Sequence, residues 1–520
     1  MGCGVAAALA HPPFGLLPGL LGYAGLVWLL DRAEPARPRR SAAFRGWLAG
    51  VGYFAVSTWW VGEAFFVDAK DQAWMAPFAV AGLAAGLALF WAAGALVYRL
   101  APISGSGRAL VFAGSLAAAE WLRGHVLTGF PWDLPGETWR AGSAPSQMAS
   151  LVGAYGLTWI TLAIAATPAV GWRTRGARVA LVAAATGLAG LYGFGAWRLA
   201  GAPAAPPADA PIVRIVQPDT PERASYDAAA FVDVMNRNLV LTRRPAAQPP
   251  AIVVWSEAGL PAALDDYLAP GTWTAATIAS ALRPGEVLIT GGYRSEPAPP
   301  GSGAPGGVVY HNSLVALSRT ASGLDPIGLY DKRRLVPFGE YLPFDRELAP
   351  LGIKQLIHVG DGFTPGPPAR PLAPRGVPPF QPLICYESLF PGFVSDAARR
   401  RGLRPAWLVN ISDDAWFGVT NGPWQHLNLA SYRAIEEGLP MVRATPTGVS
   451  AVIDAYGRIR PGELLSEGAA GAIDARLPNA LPPTIFDRWG AVSFAAMLLI
   501  SLAFGLLDAL VSLRRDGNAR

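Results

Sequence analysis

Cys385 is the residue in this chain best placed to act as a nucleophile. A short apolar run, Pro382 to Ile384, reads as a buried strand and delivers the cysteine to Tyr386-Glu387-Ser388, and a helical pattern follows over Phe393 to Arg401. Such a strand-to-helix corner exposes a sulfur, and N–H groups at a helix start favour negative charge on a thiolate or on an oxyanion beside it. A lone Cys in an apolar run also fits a plainer role as a small buried hydrophobe. Two further segments weigh against that. Ala251-Ile-Val-Val-Trp255-Ser256-Glu257 is a β-branched strand ending on a carboxylate, a candidate general base. Tyr330-Asp331-Lys332-Arg333-Arg334 sets a lysine ahead of a Val336-Pro337-Phe338-Gly339-Glu340-Tyr341 turn, a candidate cation for a thiolate or an oxyanion.

The elements that must hold these residues read as an α/β domain. Strand-like runs lie at Ile212 to Gln217, Ile252 to Trp255, Val287 to Thr290, Ser313 to Ser318, Leu383 to Cys385, Trp407 to Ile411 and Ser450 to Asp454. Helical stretches fall between them, at Ala228 to Leu241, Thr272 to Leu282 and Gln425 to Glu436. A Pro/Ala linker, Gly201 to Pro211, opens the domain, and Pro/Gly-rich stretches at Glu296 to Gly307 and Thr364 to Pro379 read as mobile loops without a core.

The rest of the chain is written for a membrane. Of 520 residues, 52% are hydrophobic and 15% charged, and mean hydropathy is +0.30, which is unlike a water-soluble enzyme. Apolar segments at Gly4 to Ala10 and Phe14 to Leu30 read as a hairpin, the first of them short of the ~20 residues that a crossing helix needs. Further spans read at Trp47 to Val67, Ala76 to Val97, Leu110 to Leu127, Met148 to Val170, Val179 to Leu199 and Ala491 to Leu513, about eight in all. Arginines cluster at 32–45, at Arg99 and Arg108, at 173–178, and at Arg514, Arg515 and Arg520. If these loops are cytoplasmic, the segment from Ala200 to Trp489 lies outside. The net charge of +5 therefore reports topology and not nucleic acid, since no basic aromatic patch accompanies it. Trp59 and Trp60 read as interfacial anchors, and Glu120, inside an apolar segment, must face the bundle or a wet cavity. Two distant cysteines, Cys3 and Cys385, imply no disulfide framework.

Glu257, Lys332 and Cys385, in this order and with Tyr-Asp-Lys, Val-Pro-Phe-Gly-Glu-Tyr and Cys-Tyr-Glu-Ser around them, resemble the Glu-Lys-Cys set of the nitrilase (carbon-nitrogen hydrolase) superfamily. They resemble in particular its membrane-bound branch, the apolipoprotein N-acyltransferases, over nearly the whole chain. The resemblance implies a nitrilase-like α-β-β-α sandwich at 209–480, inserted between a transmembrane bundle at 1–200 and a last transmembrane helix at 490–513. It implies a bacterial cytoplasmic (inner) membrane enzyme with its catalytic domain on the periplasmic side, needing no cofactor and no metal. Its partners would be the bilayer, a phospholipid acyl donor and a diacylglyceryl-modified apolipoprotein acceptor.

By the same resemblance Cys385 is the nucleophile, Glu257 the base and Lys332 the stabiliser of thiolate and oxyanion. A carboxylate of ordinary pKa ~4.3 is a poor base for a thiol near ~8.5, so the site must shift one of the two. Glu340 and Glu387 orient Lys332 or the substrate amine, or else pair with nearby arginines. Tyr386 belongs to the motif around the nucleophile. Trp416 stands on a loop that in the family lies over the site, where it either holds acyl chains or packs in the core. His426 has no second His or Cys at ligand spacing and receives no role. Asp413, Tyr226 and Pro446 depart from the family's usual Asn, Trp and Asn. The competing functions are a membrane-tethered amidase or nitrilase acting on small amides, for which the fused bundle would be superfluous, and an inactive scaffold or transporter, against which the intact triad argues.

Overall fold

The computed structural model describes residues 1–100, 105–223, 226–301, 305–345 and 362–518. Among these are eleven strands: β1 (Ile212–Gln217), β2 (Ile252–Val254), β3 (Val287–Pro297), β4 (Val308–Thr320), β5 (Gly323–Asp331), β6 (Phe380–Ile384), β7 (Trp407–Ile411), β8 (Met441–Ala444), β9 (Ser450–Ile453), β10 (Ile459–Leu465) and β11 (Gly471–Arg476). They form a six-stranded sheet in the order β11-β1-β2-β3-β4-β5 and a five-stranded sheet in the order β10-β9-β8-β7-β6. β1 to β3 run parallel, as do β6 to β8, and both sheets continue antiparallel beyond them.

Strands buried on both faces must be apolar at successive positions, and β2, Ile-Val-Val, is so. Alternate residues then point to opposite layers. Val213, Ile215, Val254 and Ile289 of one sheet meet Ile384, Val409, Ile411 and Val442 of the other in a shared core. Val216, Val253 and Leu288 face outward onto Met235, Leu239 and Ile278 of covering helices. Leu383, Leu408 and Met441 do the same on the far side with Val394, Leu427 and Ala430. The result is the four-layer α-β-β-α arrangement.

Several boundaries differ from the sequence expectation. The β3–β4 ladder runs from Val287↔Ser318 to Pro297↔Val308, so both strands are longer than their apolar cores and the loop expected at 296–307 begins inside the sheet. That loop is described only in part, and Arg520 lies outside the described residues. The stretch Thr364 to Pro379 is not coreless, because Ala369, Leu372 and Val377 are buried between the sheets. β5 and β10 escaped the apolar reading because each carries proline and glycine, which outer strands of a sheet accept.

The remaining long helices form a bundle: Gly2–Leu9, Leu21–Asp31, Pro38–Ser57, Ala76–Tyr98, Arg108–Arg123, Ala149–Ala166, Arg175–Ala200 and Val492–Asn518. Three helical stretches are long and apolar enough to cross a membrane, Ala69–Tyr98, Pro145–Val170 and Arg175–Ala200, and two shorter apolar ones are Leu17–Asp31 and Val492–Asp508. Gly2–Leu9 rises only ~12 Å, less than half of a ~30 Å hydrocarbon core. At one end of the bundle Arg108 pairs with Asp31 at 3.4 Å, Tyr98 donates to Asp31 at 2.7 Å, Arg108 also donates to the Ala169 carbonyl, and the Gly105 N–H reaches Asp508 at 3.4 Å. The arginine-bearing connections 32–37 and 171–174 therefore gather at the same end as Arg99 and Arg108.

The sandwich docks at the opposite end through the Gly422–Glu437 helix, which is buried on every side from Gln425 onward. Inside that seam the Arg433 guanidinium meets Glu436 at 2.8 Å and Glu137 at 3.3 Å and donates to the Leu389 carbonyl at 2.8 Å. Gly153, at φ +67, kinks a bundle helix and frees the Ala154 N–H, which donates to Glu436 at 2.7 Å. Trp60 is not an interfacial anchor: it is buried against Trp132 and Phe417, both 4.4 Å away between ring centroids. Glu120 faces the bundle interior, where it accepts from Trp91 at 2.5 Å and from Arg123 at 2.8 Å.

Arg433→Met keeps the length of the side chain and leaves two buried carboxylates without their cation. The expected cost is ~3–5 kcal/mol, measured as a lower unfolding midpoint in detergent. Arg237→Met, which breaks an exposed pair with Asp233 and an exposed hydrogen bond to the Asp219 carbonyl, should barely move that midpoint.

Candidate active site

The two sheets bring the ends of β2, β5 and β6 together. After β2 the Trp255 N–H still bonds the Ile289 carbonyl at 2.9 Å, so the chain stays in the sheet until it delivers Glu257 at its edge. Gly291 on β3 makes this possible, since a Cβ there would stand 2.2 Å from the Glu257 carbonyl oxygen. β5 ends at Asp331, and the Lys332 N–H donates to the Asn312 carbonyl at 2.8 Å. β6 ends at Ile384.

Lys332 is buried, and its Nζ donates to Glu257 Oε1 and Glu340 Oε1, both at 2.9 Å. Asn312 Nδ2 donates to the same two oxygens at 2.7 Å. The backbone N–H of Asp413 donates to Glu257 Oε2 at 2.8 Å, and that of Val336 to Glu340 Oε2 at 2.7 Å. Both carboxylates are thereby fixed around one ammonium, and among the described residues Glu340 pairs with Lys332 and with no arginine. Burial alone would lower the Lys332 pKa, but Glu257, then Glu340 and the Cys385 sulfur, outweigh it and hold it well above the usual lysine range. Lys332 is a permanent cation and not a base.

Cys385 stands at φ +46, a left-handed conformation that costs a side-chain-bearing residue about 1–2 kcal/mol. It opens a 3-10 turn, Cys385–Leu389, and the α-helix begins only at Phe393. The sulfur is therefore not at an α-helix start, as the sequence suggested; the N–H groups beside it belong to the tighter turn. Cys385 keeps part of its surface accessible, yet burial of the sulfur, followed by the charges of Glu257 and Asp414, pushes the thiol pKa up. Lys332 and a hydrogen bond from Ser412 oppose the rise without cancelling it. The sequence expectation of a lysine-lowered thiol is thus reversed: at rest the nucleophile is a neutral thiol.

Glu387 is a clamp. It is wholly buried, and its Oε1 accepts from the Tyr330 hydroxyl and the Arg333 N–H at 2.7 Å and from the Arg334 N–H at 3.2 Å, while Oε2 accepts from the Ile384 N–H at 2.9 Å. Burial pushes its carboxyl up to about 7, held back by those donors. It ties the Lys332 turn to the Cys385 turn and touches no arginine side chain. Tyr386 packs edge-on to Phe390 at 5.1 Å and donates to the Gly129 carbonyl of the bundle, which anchors the nucleophile turn to the bundle loop. Trp416 is 42% exposed and so is not core; its neighbour Phe417 takes the buried position.

Sequence reasoning passed over Asn312, Ser412, Asp414 and Glu222. Asn312 reaches the cluster only through the pairing Ser313↔Asp331, which required β5 to be recognised. Ser412 and Asp414 follow β7 as Cys385 follows β6, with Ile384↔Ile411 in register, a signal legible once the two strands are paired. His426, left without a role, lies 3.0 Å from Asp414 and 3.1 Å from Ser388, behind the nucleophile turn. Glu222 hydrogen-bonds the Asp413 carboxyl, and burial together with this neighbour holds Asp413 well above the usual carboxylate range; Tyr226 feels both charges. Pro446 accepts from the Thr220 N–H at 3.3 Å.

Both parts of the chain match known protein families. Residues 3–167 match the apolipoprotein N-acyltransferase N-terminal domain and residues 212–480 match the carbon-nitrogen hydrolase family. The apolipoprotein N-acyltransferase of Caulobacter vibrioides is 56% identical, with 99% of this chain and 94% of the relative covered. That of Bradyrhizobium diazoefficiens is 40% identical over 96% of this chain and 92% of the relative. Among solved structures, a mutant of the Nesterenkonia AN1 amidase from the nitrilase superfamily is 18% identical, covers 53% of this chain and 94% of its own, and has a TM-score of 0.35.

Two outcomes follow from the charges. Alkylation of Cys385 by iodoacetamide should reach half its limiting rate at a pH above the ~8.5 of a free thiol, because burial and Glu257 raise the thiol. Glu387→Gln turns an amide N–H toward one of four donors, leaving it unpaired, and should lower stability by ~1–3 kcal/mol in a thermal melt while slowing acyl transfer.

Proposed function

The chain belongs to the apolipoprotein N-acyltransferase family, and on that premise we propose that Cys385, Lys332 and Glu257 carry out its acyl transfer in two steps through a thioester on the cysteine. The protein is an acyltransferase of lipoprotein maturation, which acylates the amino terminus of apolipoproteins. A phospholipid ester serves as donor, and the α-amine of an N-terminal S-diacylglyceryl-cysteine as acceptor.

In the first step Sγ attacks the ester carbonyl while the thiol proton passes to Glu257. Negative charge moves from sulfur to the carbonyl oxygen, beside the fixed ammonium of Lys332 and the N–H groups of the turn. Because the thiol is neutral at rest, the cation is worth more to the transition state than to the ground state. The intermediate expels the lysophospholipid oxygen, which takes the proton back from Glu257. In the second step the free amine attacks the thioester, Glu257 takes an amine proton, and the departing sulfur regains it. Glu340 and Asn312 hold Lys332 and Glu257 in place throughout.

We place the bundle across the bacterial inner membrane with the sandwich on the periplasmic side. Support comes from the gathering of the arginine-bearing connections at the bundle end opposite the sandwich, as the positive-inside bias expects. Gly2–Leu9 then enters partway, Ala69–Tyr98, Pro145–Val170 and Arg175–Ala200 cross, and the shorter apolar helices pack beside them.

The single observation carrying the chemical reading is the buried Lys332 shared by Glu257 and Glu340 beside Cys385. Mass spectrometry of enzyme given phospholipid without acceptor should find one acyl group on Cys385, released by hydroxylamine. Cys385→Ala should carry none, and labelling that survived this change would place the nucleophile elsewhere. Glu257→Gln should slow both acylation and transfer by ~10² to 10⁴; slowing of one step alone would mean that it is not the shared base.

A further inference from the structure

The ionised sulfur needs a donor of its own, and the residue beside it is one to which neither motif nor family assigns a role. Ile384 and Ile411 are paired across β6 and β7, so the chain leaves both strands side by side, with Cys385 next to Ser412. Ser412 is wholly buried, and a hydrogen bond from it to the Cys385 sulfur favours the thiolate. The same Oγ donates to Asp414 Oδ1 at 2.7 Å. A serine hydroxyl has one hydrogen and two lone pairs. At rest that hydrogen is on Asp414, and only its transfer to the sulfur supplies the bond that favours the thiolate.

Asp414 does not depend on that hydrogen. Arg443 donates to Asp414 Oδ2 at 2.6 Å, and His426 Nδ1 faces Oδ1 at 3.0 Å, where a carboxylate can only accept and the nitrogen must carry the hydrogen. Burial works against the Asp414 charge, but Arg443 and His426 outweigh it and hold the carboxyl below its usual range. Gly448 closes the far side, since a Cβ there would stand 2.3 Å from the Asp414 Cβ. The carboxylate stays ionised and doubly bonded when the hydroxyl turns away.

We propose that Ser412 is the thiolate's hydrogen-bond donor: as the thiol proton leaves for Glu257, Ser412 swings its own hydrogen from Asp414 to Sγ. This deepens the proposed thioester mechanism and rests on it. The bookkeeping is closed. The thiol proton goes to the Glu257 carboxylate, the sulfur electron pair goes to the substrate carbonyl, and the hydroxyl hydrogen changes its acceptor without leaving Oγ. The same rotation operates when the thioester breaks, because the departing sulfur again carries the charge. Ser412 also stands between the sulfur and the Asp414 carboxylate, whose charge opposes ionisation.

The test uses the full-length enzyme in detergent with three variants. Ser412→Ala removes the donor, Ser412→Cys keeps the volume with a weaker one, and Ser412→Thr keeps the hydroxyl. For Ser412→Ala, the iodoacetamide profile of Cys385 should move to higher pH and single-turnover acylation by phospholipid should slow roughly ten- to a hundredfold, the weight of a hydrogen bond to a charged group. Ser412→Cys should move in the same direction by less, and it decides the matter if the alanine protein does not fold. Ser412→Thr should return both readings toward those of the parent. A pH profile that stays in place in folded Ser412→Ala or Ser412→Cys overturns the proposal, even where acylation slows, since slowing alone is what lost packing would give. Absence of any acyl group on the parent enzyme would instead overturn the thioester reading on which this one rests.

Discussion

One buried ammonium organises the catalytic domain. Lys332 lies where water cannot solvate it, so its charge must be met by the protein, and the two carboxylates that meet it come from distant parts of the chain, Glu257 after β2 and Glu340 after the Val336-Pro337-Phe338 turn. An uncompensated charge in such a place costs several kcal/mol. Each partner is in turn held by a further donor, Asn312 from β4, Asp413 from the turn after β7 and Val336 from its own turn. The cluster therefore fixes the register in which several elements must arrive. The thiol stays protonated, because burial disfavours a negative charge on sulfur and the Glu257 carboxylate adds to that more than Lys332 relieves it.

The membrane bundle takes part in this arrangement and is more than an anchor. The Gly422–Glu437 helix is covered by the five-stranded sheet on one side and by bundle loops on the other, so its polar residues have only protein to bond. Arg433 spends its guanidinium on Glu137 of the bundle, on Glu436, and on the carbonyl of Leu389 at the end of the nucleophile turn. Tyr386 reaches the bundle from the same turn, and Arg334, two residues after Lys332, donates to the Thr128 carbonyl at 3.2 Å. The nucleophile and the cation are both tied to the loop that joins two bundle helices.

How far the fold was legible varied by element. β1, β7 and the helix Phe393–Arg401 stand where the apolar pattern placed them, because buried parallel strands and amphipathic helices write their period directly. β5 and β10 did not, because outer strands tolerate Pro326 and Gly462 and show no apolar run. Glu257 and Cys385 could be named because each follows an apolar strand, and Lys332 because the Val336-Pro337-Phe338-Gly339 turn comes after it; the structure gathers all three. Asn312, Ser412 and Asp414 could not, because their roles depend on which strands lie side by side, and pairing is a property of the sheet and not of any one segment. Burial misled in the opposite direction at Trp60, which looks like a membrane-surface residue until Trp132 and Phe417 are brought against it.

The account stands on Lys332 and the Cys385 sulfur belonging to one electrostatic cluster. The most direct measurement is the pH dependence of Cys385 alkylation in Lys332→Met, which keeps the side chain's length without its charge. Loss of this cation should displace the profile to higher pH than in the parent enzyme. A profile that coincides with the parent's would mean that the ammonium does not act on the sulfur, and would contradict the reading of Glu257, Lys332 and Cys385 as a single site.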